Sequence, residues 1–229
     1  DLYAAADVPE TEVLRRPDEA LVSRLKLASS AAHVAGRRLA SAEAFTWLGE
    51  HFQVSLAQAK EAADWLLLSG VNHLVYHGVP YSPPGVPWPG WQFYASVNFG
   101  PEGGLWRDLP ELNRYLARVQ AVLQAGDPGE DVLLFYSPRD AWHAGGELFL
   151  QNPVSPAFEE TGLLLWRRGF AWDAVSERRL AEARVEDGRV RLGAGRYRAL
   201  VVPRTRLATP DAIRRLAALA REGATVALV

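Results

Sequence analysis

Residues 55–78 read "SLAQAKEAADWLLLSGVNHLVYHG", and the order of signals in them, helix, glycine, then strand, decides the fold class. Ser55 and Gln58 have the spacing of a capping box, in which a hydroxyl and an amide satisfy N–H groups that the first turn leaves unpaired. The Ala- and Leu-rich run that follows closes at Gly70, a residue type that ends helices because it enters the left-handed region without a Cβ penalty. "VNHLVYHG" then reads as a strand. The same alternation extends outward in both directions. Upstream, "PDEALVSRLKLASSAAHVAG" (17–36) places Leu21, Leu25, Ala28 and Ala32 on one helical face and stops at Gly36. It leads into "RRLASAEAFTW" (37–47), a strand-like run that holds a carboxylate, Glu43. Downstream, Asp108, Pro110 and Glu111 open a helix with Leu112, Tyr115, Leu116, Val119 and Leu123 on its apolar face, closed by Gly126. Helices and strands in alternation predict an α/β protein with a largely parallel sheet.

The segment "GDPGED" (126–131) concentrates turn residues and acids between two periodic regions and predicts a domain boundary. Beyond it, "DVLLFYSP" is an apolar strand of buried parallel type, followed by a helix around "AFEETGLLLWRRG" and a strand around "FAWDAV". "ARVEDGRVRLG" carries Asp-Gly between alternating runs and predicts a β-hairpin. "YRALVVP" reads as a core strand and "TPDAIRRLAALAREG" as a helix with Thr209 as cap and Pro210 in its first turn. The expected organisation is a first unit over 1–127 and a small doubly wound domain over 128–229.

The chain has 229 residues, 48% of them hydrophobic and 23% charged, which suits a globular core. A net charge of -2 gives no electrostatic footprint for nucleic acid, and no apolar run is long enough to span a membrane. Neither partner is expected. With no cysteine there is no disulfide, thiolate metal site or thiol nucleophile, so any metal must be held by oxygen or imidazole. The chain also has no methionine, begins on "DLYAAADVPETEV" and ends on a strand-like "EGATVALV". The expectation is a piece of a longer polypeptide whose remaining domains complete it.

Parallel α/β architectures place their sites at the carboxyl ends of strands. Glu10 and Glu12 in "DVPETEV", Glu43 in "SAEAF" and His77 in "LVYHG" fit that position. Short acidic segments are most often solvated loops, and His73 and His77, on one strand face, are more often hydrogen-bonded structural histidines than ligands. Glu43 stands apart because alanines and Phe45 flank it, and an unpartnered buried carboxylate is costly. Carboxylates facing a scissile bond would suit glycoside hydrolysis, and oxygen ligands at strand ends would suit a hard cation such as calcium. The loop from Tyr81 to Trp106 adds Trp88, Trp91, Phe93, Tyr94 and Phe99 among prolines and glycines. Flat aromatic faces beside Gln92, Asn98 and Glu102 suit a sugar ring, although such rings can also simply plug an interface.

The blocks "DVPETEV", "ASSAAHVAGRRLASAEAFTW", "AADWLLLSGVNHLVYHG", "LPELNRYLARVQAVLQAG" and "DVLLFYSP", in that order, with "RGFAWDAVSERRL" after them, resemble glycoside hydrolase family 106, the α-L-rhamnosidases. The resemblance implies the end of a catalytic (β/α)8 barrel followed by a flavodoxin-like domain similar to glutamine amidotransferases, here without their activity because no cysteine can serve as nucleophile. It implies an inverting, calcium-assisted glycosidase with Glu43 as general base and Glu10 or Glu12 as a metal ligand. His77, Trp88, Trp91 and Asn98 become candidate sugar-binding residues, and the general acid would come from an earlier strand end, outside this chain. Val13 and Leu14 depart from the aromatics that follow the acids in many relatives. Two other readings stay open. One is a retaining barrel glycosidase related to family 42 β-galactosidases, with Glu43 as nucleophile. The other is a carbohydrate-binding or scaffolding protein without catalysis. A carboxyl separation of about 5–5.5 Å would mark retention and about 6.5–9.5 Å inversion.

Overall fold

The computed structural model describes residues 2–49, 51–144 and 154–229. In chain order the elements are α1 (Leu2–Ala5), β1 (Glu10–Glu12), a 3-10 turn (Glu19–Leu21) running into α2 (Val22–Val34), and β2 (Ser41–Ala44). Next come α3 (Leu56–Leu68), β3 (His73–Tyr76), α4 (Leu109–Ala125), β4 (Val132–Tyr136), α5 (Pro138–Ala144) and α6 (Pro156–Arg167). The chain closes with β5 (Trp172–Ser176), α7 (Glu177–Leu180), β6 (Arg184–Glu186), β7 (Arg189–Leu192), β8 (Gly195–Tyr197), β9 (Ala199–Val202), α8 (Pro210–Arg221) and β10 (Val226–Leu228).

The local signals act where the sequence places them. Ser55 Oγ accepts the Gln58 N–H at 3.3 Å while Gln58 Oε1 accepts the Ser55 N–H at 2.9 Å, a complete capping box at the head of α3. Ser155 and Thr209 cap α6 and α8 through their hydroxyls alone, accepting the Phe158 and Ala212 N–H groups. Asp108 makes no side-chain cap, and α4 carries Pro110 in its first turn instead. Asp187 and Gly188 both have positive φ, 51° and 71°, the requirement of a two-residue hairpin turn, and Glu186 faces Arg189 across it. The hairpin has a third strand, β8, that the alternation of the sequence did not announce.

Strands β1, β2 and β3 form one parallel sheet in sequence order. A second parallel sheet has the order β10-β9-β4-β5, and the antiparallel β6-β7-β8 sheet stands apart from it. The architecture is therefore α/β with parallel sheets. No helix among the described residues is long and apolar enough to cross a membrane.

Helix α2 differs from its sequence reading. The apolar residues suggest one buried face, yet the helix is buried almost all round, including Ser23, Lys26, Ser29, Ser30 and His33. The reason is its position. Leu25 packs into the core under the first sheet, Val22 and Leu27 into a cluster with Val132, Leu134 and Trp172, and Val34 into the core of the second sheet with the hairpin. Gly162 of α6 permits the close approach on one side, since a Cβ there would sit 2.8 Å from the Trp172 ring and 3.0 Å from Ser23 Oγ.

A helix buried on all sides must find partners for its polar groups. Ser30 Oγ accepts the Ala174 N–H at 2.8 Å, and Ser29 Oγ donates to the Ser69 carbonyl at 2.7 Å. His33 Nδ1 lies 3.0 and 3.1 Å from the two oxygens of Asp173, a fully buried residue of β5 that also accepts the Tyr197 hydroxyl at 2.8 Å. Glu130, in the linker segment, lies 3.5 Å from His33 Nδ1 and 3.6 Å from Lys26 Nζ. Two cationic and two anionic groups thus share one buried node that joins α2, β5, β8 and the linker.

The titration of this node has a definite sign. Burial by itself lowers His33, but the charge and hydrogen bonds of Asp173 and the charge of Glu130 outweigh it and hold the imidazole above 6.5. Burial by itself raises Asp173, but His33, Lys26 and Tyr197 outweigh it and hold the carboxyl below 3.8. Burial and the Asp173 charge raise Glu130. The His33 contribution is whole below pH 6.5 and is lost as pH rises through its raised folded value, and Glu130, also raised, loses in the same direction. The Asp173 contribution is present above 3.8 and is lost only as pH falls through its depressed folded value. Stability from the node is therefore expected to peak between these limits. Asp173→Asn, which leaves buried cations without their partner, is expected to cost about 3–5 kcal/mol in urea unfolding and to flatten the alkaline decline.

Candidate active site

In a parallel sheet, side chains alternate between the two faces, so register decides which residues meet. Glu12 pairs with Glu43 and Glu43 with Val75, while one level earlier Glu10 pairs with Ser41 and Ser41 with His73. The residues between, Thr11, Ala42 and Leu74, face the helices, where Ala42, Ala44, Leu74 and Tyr76 join the core with α3 and α4. The opposite face therefore carries two stacked levels, Glu10, Ser41 and His73 in one and Glu12, Glu43 and the apolar Val75 in the next.

The lower level is closed on itself. Ser41 Oγ donates to Glu10 Oε2 at 2.7 Å, and His73 Nδ1 lies 3.1 Å from the same hydroxyl. The upper level lies at the carboxyl ends of the strands. There Glu12 and Glu43 stand side by side, and His77 Nδ1 is 3.3 Å from Glu43 Oε1 without the alignment of a hydrogen bond. The His77 ring packs edge-on against Phe93, with centroids 4.8 Å apart. Glu43 is 34% exposed, so it is a carboxylate at the floor of an open face and not a buried one.

The chain leaves β2 through Phe45, whose φ of 72° is rare for a residue with a side chain and costs roughly 1–3 kcal/mol. Burial of its ring, edge-to-face with Trp47, Tyr76 and Phe99 at 5.8, 5.1 and 5.0 Å, holds that conformation. The turn brings Thr46 back over the strand end, where Oγ1 donates to Glu43 Oε1 at 3.3 Å and also serves Glu12. Glu12 is raised above its ordinary 4.5, first by desolvation and then by the Glu43 charge, with His77 and Thr46 opposing and Glu10 adding a little. Burial and the neighbouring charge thus make Glu12 readier than an ordinary carboxylate to take a proton.

The structure brings Glu12, Glu43 and His77 together and sets Glu10 one level down the strand. The loop residues are arranged otherwise. Trp88 and Trp91 are largely exposed, and Trp88 Nε1 donates to the Glu102 carbonyl at 3.2 Å. Asn98 is buried with φ of 60°, and its amide serves His51 Nδ1 at 2.9 Å and the Ser96 carbonyl at 3.1 Å, so it shapes the loop. Thr46 and Ser41, which sequence reasoning did not single out, touch the site carboxylates. Ser41 was findable, two residues before Glu43 on the same face, whereas Thr46 depends on the turn at Phe45.

Among the described residues, the group whose ligand atoms converge within 4.8 Å is His33, Glu130 and Asp173. That is the buried node on α2, whose acids already face Lys26 and His33. Glu10, Glu12 and Glu43 do not form such a convergent set. Glu12 and Glu43 do offer paired oxygen donors whose mutual repulsion a hard cation would relieve.

The family model described as alpha-L-rhamnosidase matches residues 5–228. A rhamnosidase from Novosphingobium sp. PP1Y is similar in structure, with a TM-score of 0.71 and 25% identity, over 98% of this chain and 21% of that one. A family 42 β-galactosidase from G. stearothermophilus, solved as a catalytic mutant, has a TM-score of 0.64 at 14% identity over 99% of this chain and 33% of its own, a likeness of fold. A glucuronidase-named protein from Formosa agariphila is 26% identical over 209 residues, 88% of this chain and 16% of that relative. The chain thus spans a minor part of each of these proteins.

Glu43→Gln removes the charge beside Glu12. The Glu12 carboxyl is then expected to titrate lower, part of the way back toward 4.5, in carbon-13 NMR of the glutamate carboxyls of the 229-residue chain. An unmoved Glu12 would contradict the pairing.

Proposed function

The chain belongs to glycoside hydrolase family 106, the α-L-rhamnosidases, and we propose that the protein carrying it is an inverting α-L-rhamnosidase in which Glu43 is the general base. The observation that carries this reading is the pairing of Glu12 with Glu43 at the carboxyl ends of neighbouring parallel strands, with His77 beside Glu43. Glu43 takes a proton from a water whose oxygen attacks the anomeric carbon, while the leaving oxygen receives a proton from an acid outside this chain. His77 and Thr46 hold the Glu43 carboxylate in place. Glu12 is the better of the two candidate metal ligands, because Glu10 is engaged by Ser41 one level lower. A calcium ion held by Glu12 would bind and orient sugar hydroxyls. Trp88 and Trp91 lie on the loop above, where they would shape the outer part of the sugar site.

The three βα units read as the last part of a (β/α)8 barrel over 1–127, continued by strands elsewhere in the polypeptide. Residues 128–229 read as a flavodoxin-like, amidotransferase-like domain, because β5-β4-β9-β10 is the 2-1-3-4 order of that architecture. Helix α2 serves both.

The test is release of p-nitrophenol from p-nitrophenyl α-L-rhamnoside by the full-length protein, with calcium and with a chelator, and NMR of the first-formed anomer. Release that falls on chelation, an inverted anomer, and a loss of about 10²–10⁴ in kcat for Glu43→Gln are expected. A retained anomer would recast Glu43 as nucleophile, and sugar binding without turnover would favour the non-catalytic reading.

A further inference from the structure

In the second parallel sheet, β4 has β5 on one side and β9 on the other. The chain leaves β4 for β5 and later leaves β9 for β10, so the connections at the carboxyl ends of β4 and β9 run apart and open a crevice between the two strands. A cavity of about 280 Å³ is lined from both connections, by Asp140 and His143 after β4 and by Arg204 and Arg206 after β9. Ser155 and Ala157, at the head of α6, complete its polar wall.

The loop after β9 is pinned, so its side chains project from a fixed backbone. Asp140, only 8% exposed, accepts the Arg206 N–H at 3.0 and 3.1 Å and the Leu207 N–H at 2.7 Å, and Ser137 Oγ donates to the Leu207 carbonyl at 2.6 Å. The carboxylate on the cavity wall is thereby spent on backbone. The Arg204 and Arg206 guanidinium groups and the His143 ring have no partner among the described residues. Ser155 is 9% exposed, and its hydroxyl accepts the Phe158 N–H at 3.3 Å while its own proton has no acceptor among the described residues. The Ala157 N–H lies in the first turn of α6, ahead of any intrahelical acceptor.

Two arginines gathered on one cavity repel each other, and a ligand of opposite charge relieves that cost. Forked guanidinium groups match the oxygens of a phosphate or sulfate bidentately. A tetrahedral ester has three terminal oxygens, enough to meet the arginines and also the buried hydroxyl and the helix-end N–H. We propose that this crevice is an anion-binding site, separate from the strand-end carboxylates, that takes a small molecule bearing a phosphate or sulfate ester. Arg204 and Arg206 clamp the anionic group, and Ser155 and Ala157 orient it. The site stands independently of the glycosidase reading.

The test is calorimetric titration of the full-length protein, at constant ionic strength, with glucose 6-phosphate, glucose 6-sulfate, glucuronate and glucose. One or both esters are expected to bind, the tighter of them identifying the ester, and glucuronate and glucose are not. Arg204→Ala and Arg206→Ala should each weaken ester binding about tenfold, the loss of one charge-assisted hydrogen bond, and Arg204→Lys should recover part of it. Both arginines are exposed, so their truncation should leave the urea unfolding midpoint in place. Ester binding that survives both alanine substitutions would put the anion elsewhere and overturn the site. Failure of both esters to bind would do the same, and glucuronate binding as tightly as the esters would overturn the assignment of a tetrahedral anion.

Discussion

Helix α2 is pressed between two parallel sheets and has no solvent-facing stripe on which to place its polar residues. Lys26, Ser29, Ser30 and His33 must therefore be satisfied by other elements, and each partner they take ties another part of the chain to the helix. The second sheet is positioned through Asp173 and Ala174, the linker through Glu130 and the small antiparallel sheet through Tyr197. Burying a charge pair is seldom a route to stability by itself, because desolvation offsets much of the attraction. Here the pair selects one docking geometry, since sliding α2 by a residue would strand charged groups in an apolar interior.

The same helix supports the first sheet, on whose other face the paired carboxylates lie. Strand parity sends Ala42, Ala44, Leu74 and Tyr76 toward the helices and Glu10, Glu12, Glu43 and His73 away from them. In-register pairing then sets Glu12 against Glu43, a like-charge contact that adds to burial in raising the Glu12 carboxyl. The strained Phe45 backbone stands directly beyond it, locked by aromatic neighbours, and supplies Thr46 as a hydroxyl for the carboxylates. Strain, repulsion and an open face coincide at the ends of these strands.

Much of this was legible in the sequence because it is local. The capping box at Ser55, the Asp187-Gly188 turn and the helix opening at Thr209 are decided within a few residues, and the structure repeats them. Glu43 was marked by its flanking alanines. What escaped was tertiary. Nothing in "LVSRLKLASSAAHV" says that both flanks will be covered, although the scarcity of charge and the three serines fit a helix buried all round. The proposed preference for Glu12 over Glu10 rests on register with Ser41 and Glu43, which requires knowing the partner strand. The bracing of the loop by Asn98 was not legible either, because its partners His51 and Ser96 are distant or irregular in sequence.

The "GDPGED" segment carries the composition of a hinge, yet Glu130 within it is drawn into the buried node. The turn between β7 and β8 also reaches α2, with the Ala194 N–H donating to the His33 carbonyl at 3.2 Å. Adhesion between the two halves therefore runs through side chains contributed from far apart in the chain. A protease that nicked this segment would sever the polypeptide without separating the pieces, which would travel together as a noncovalent pair. The peptide link there sets connectivity, and the helix beside it does the holding.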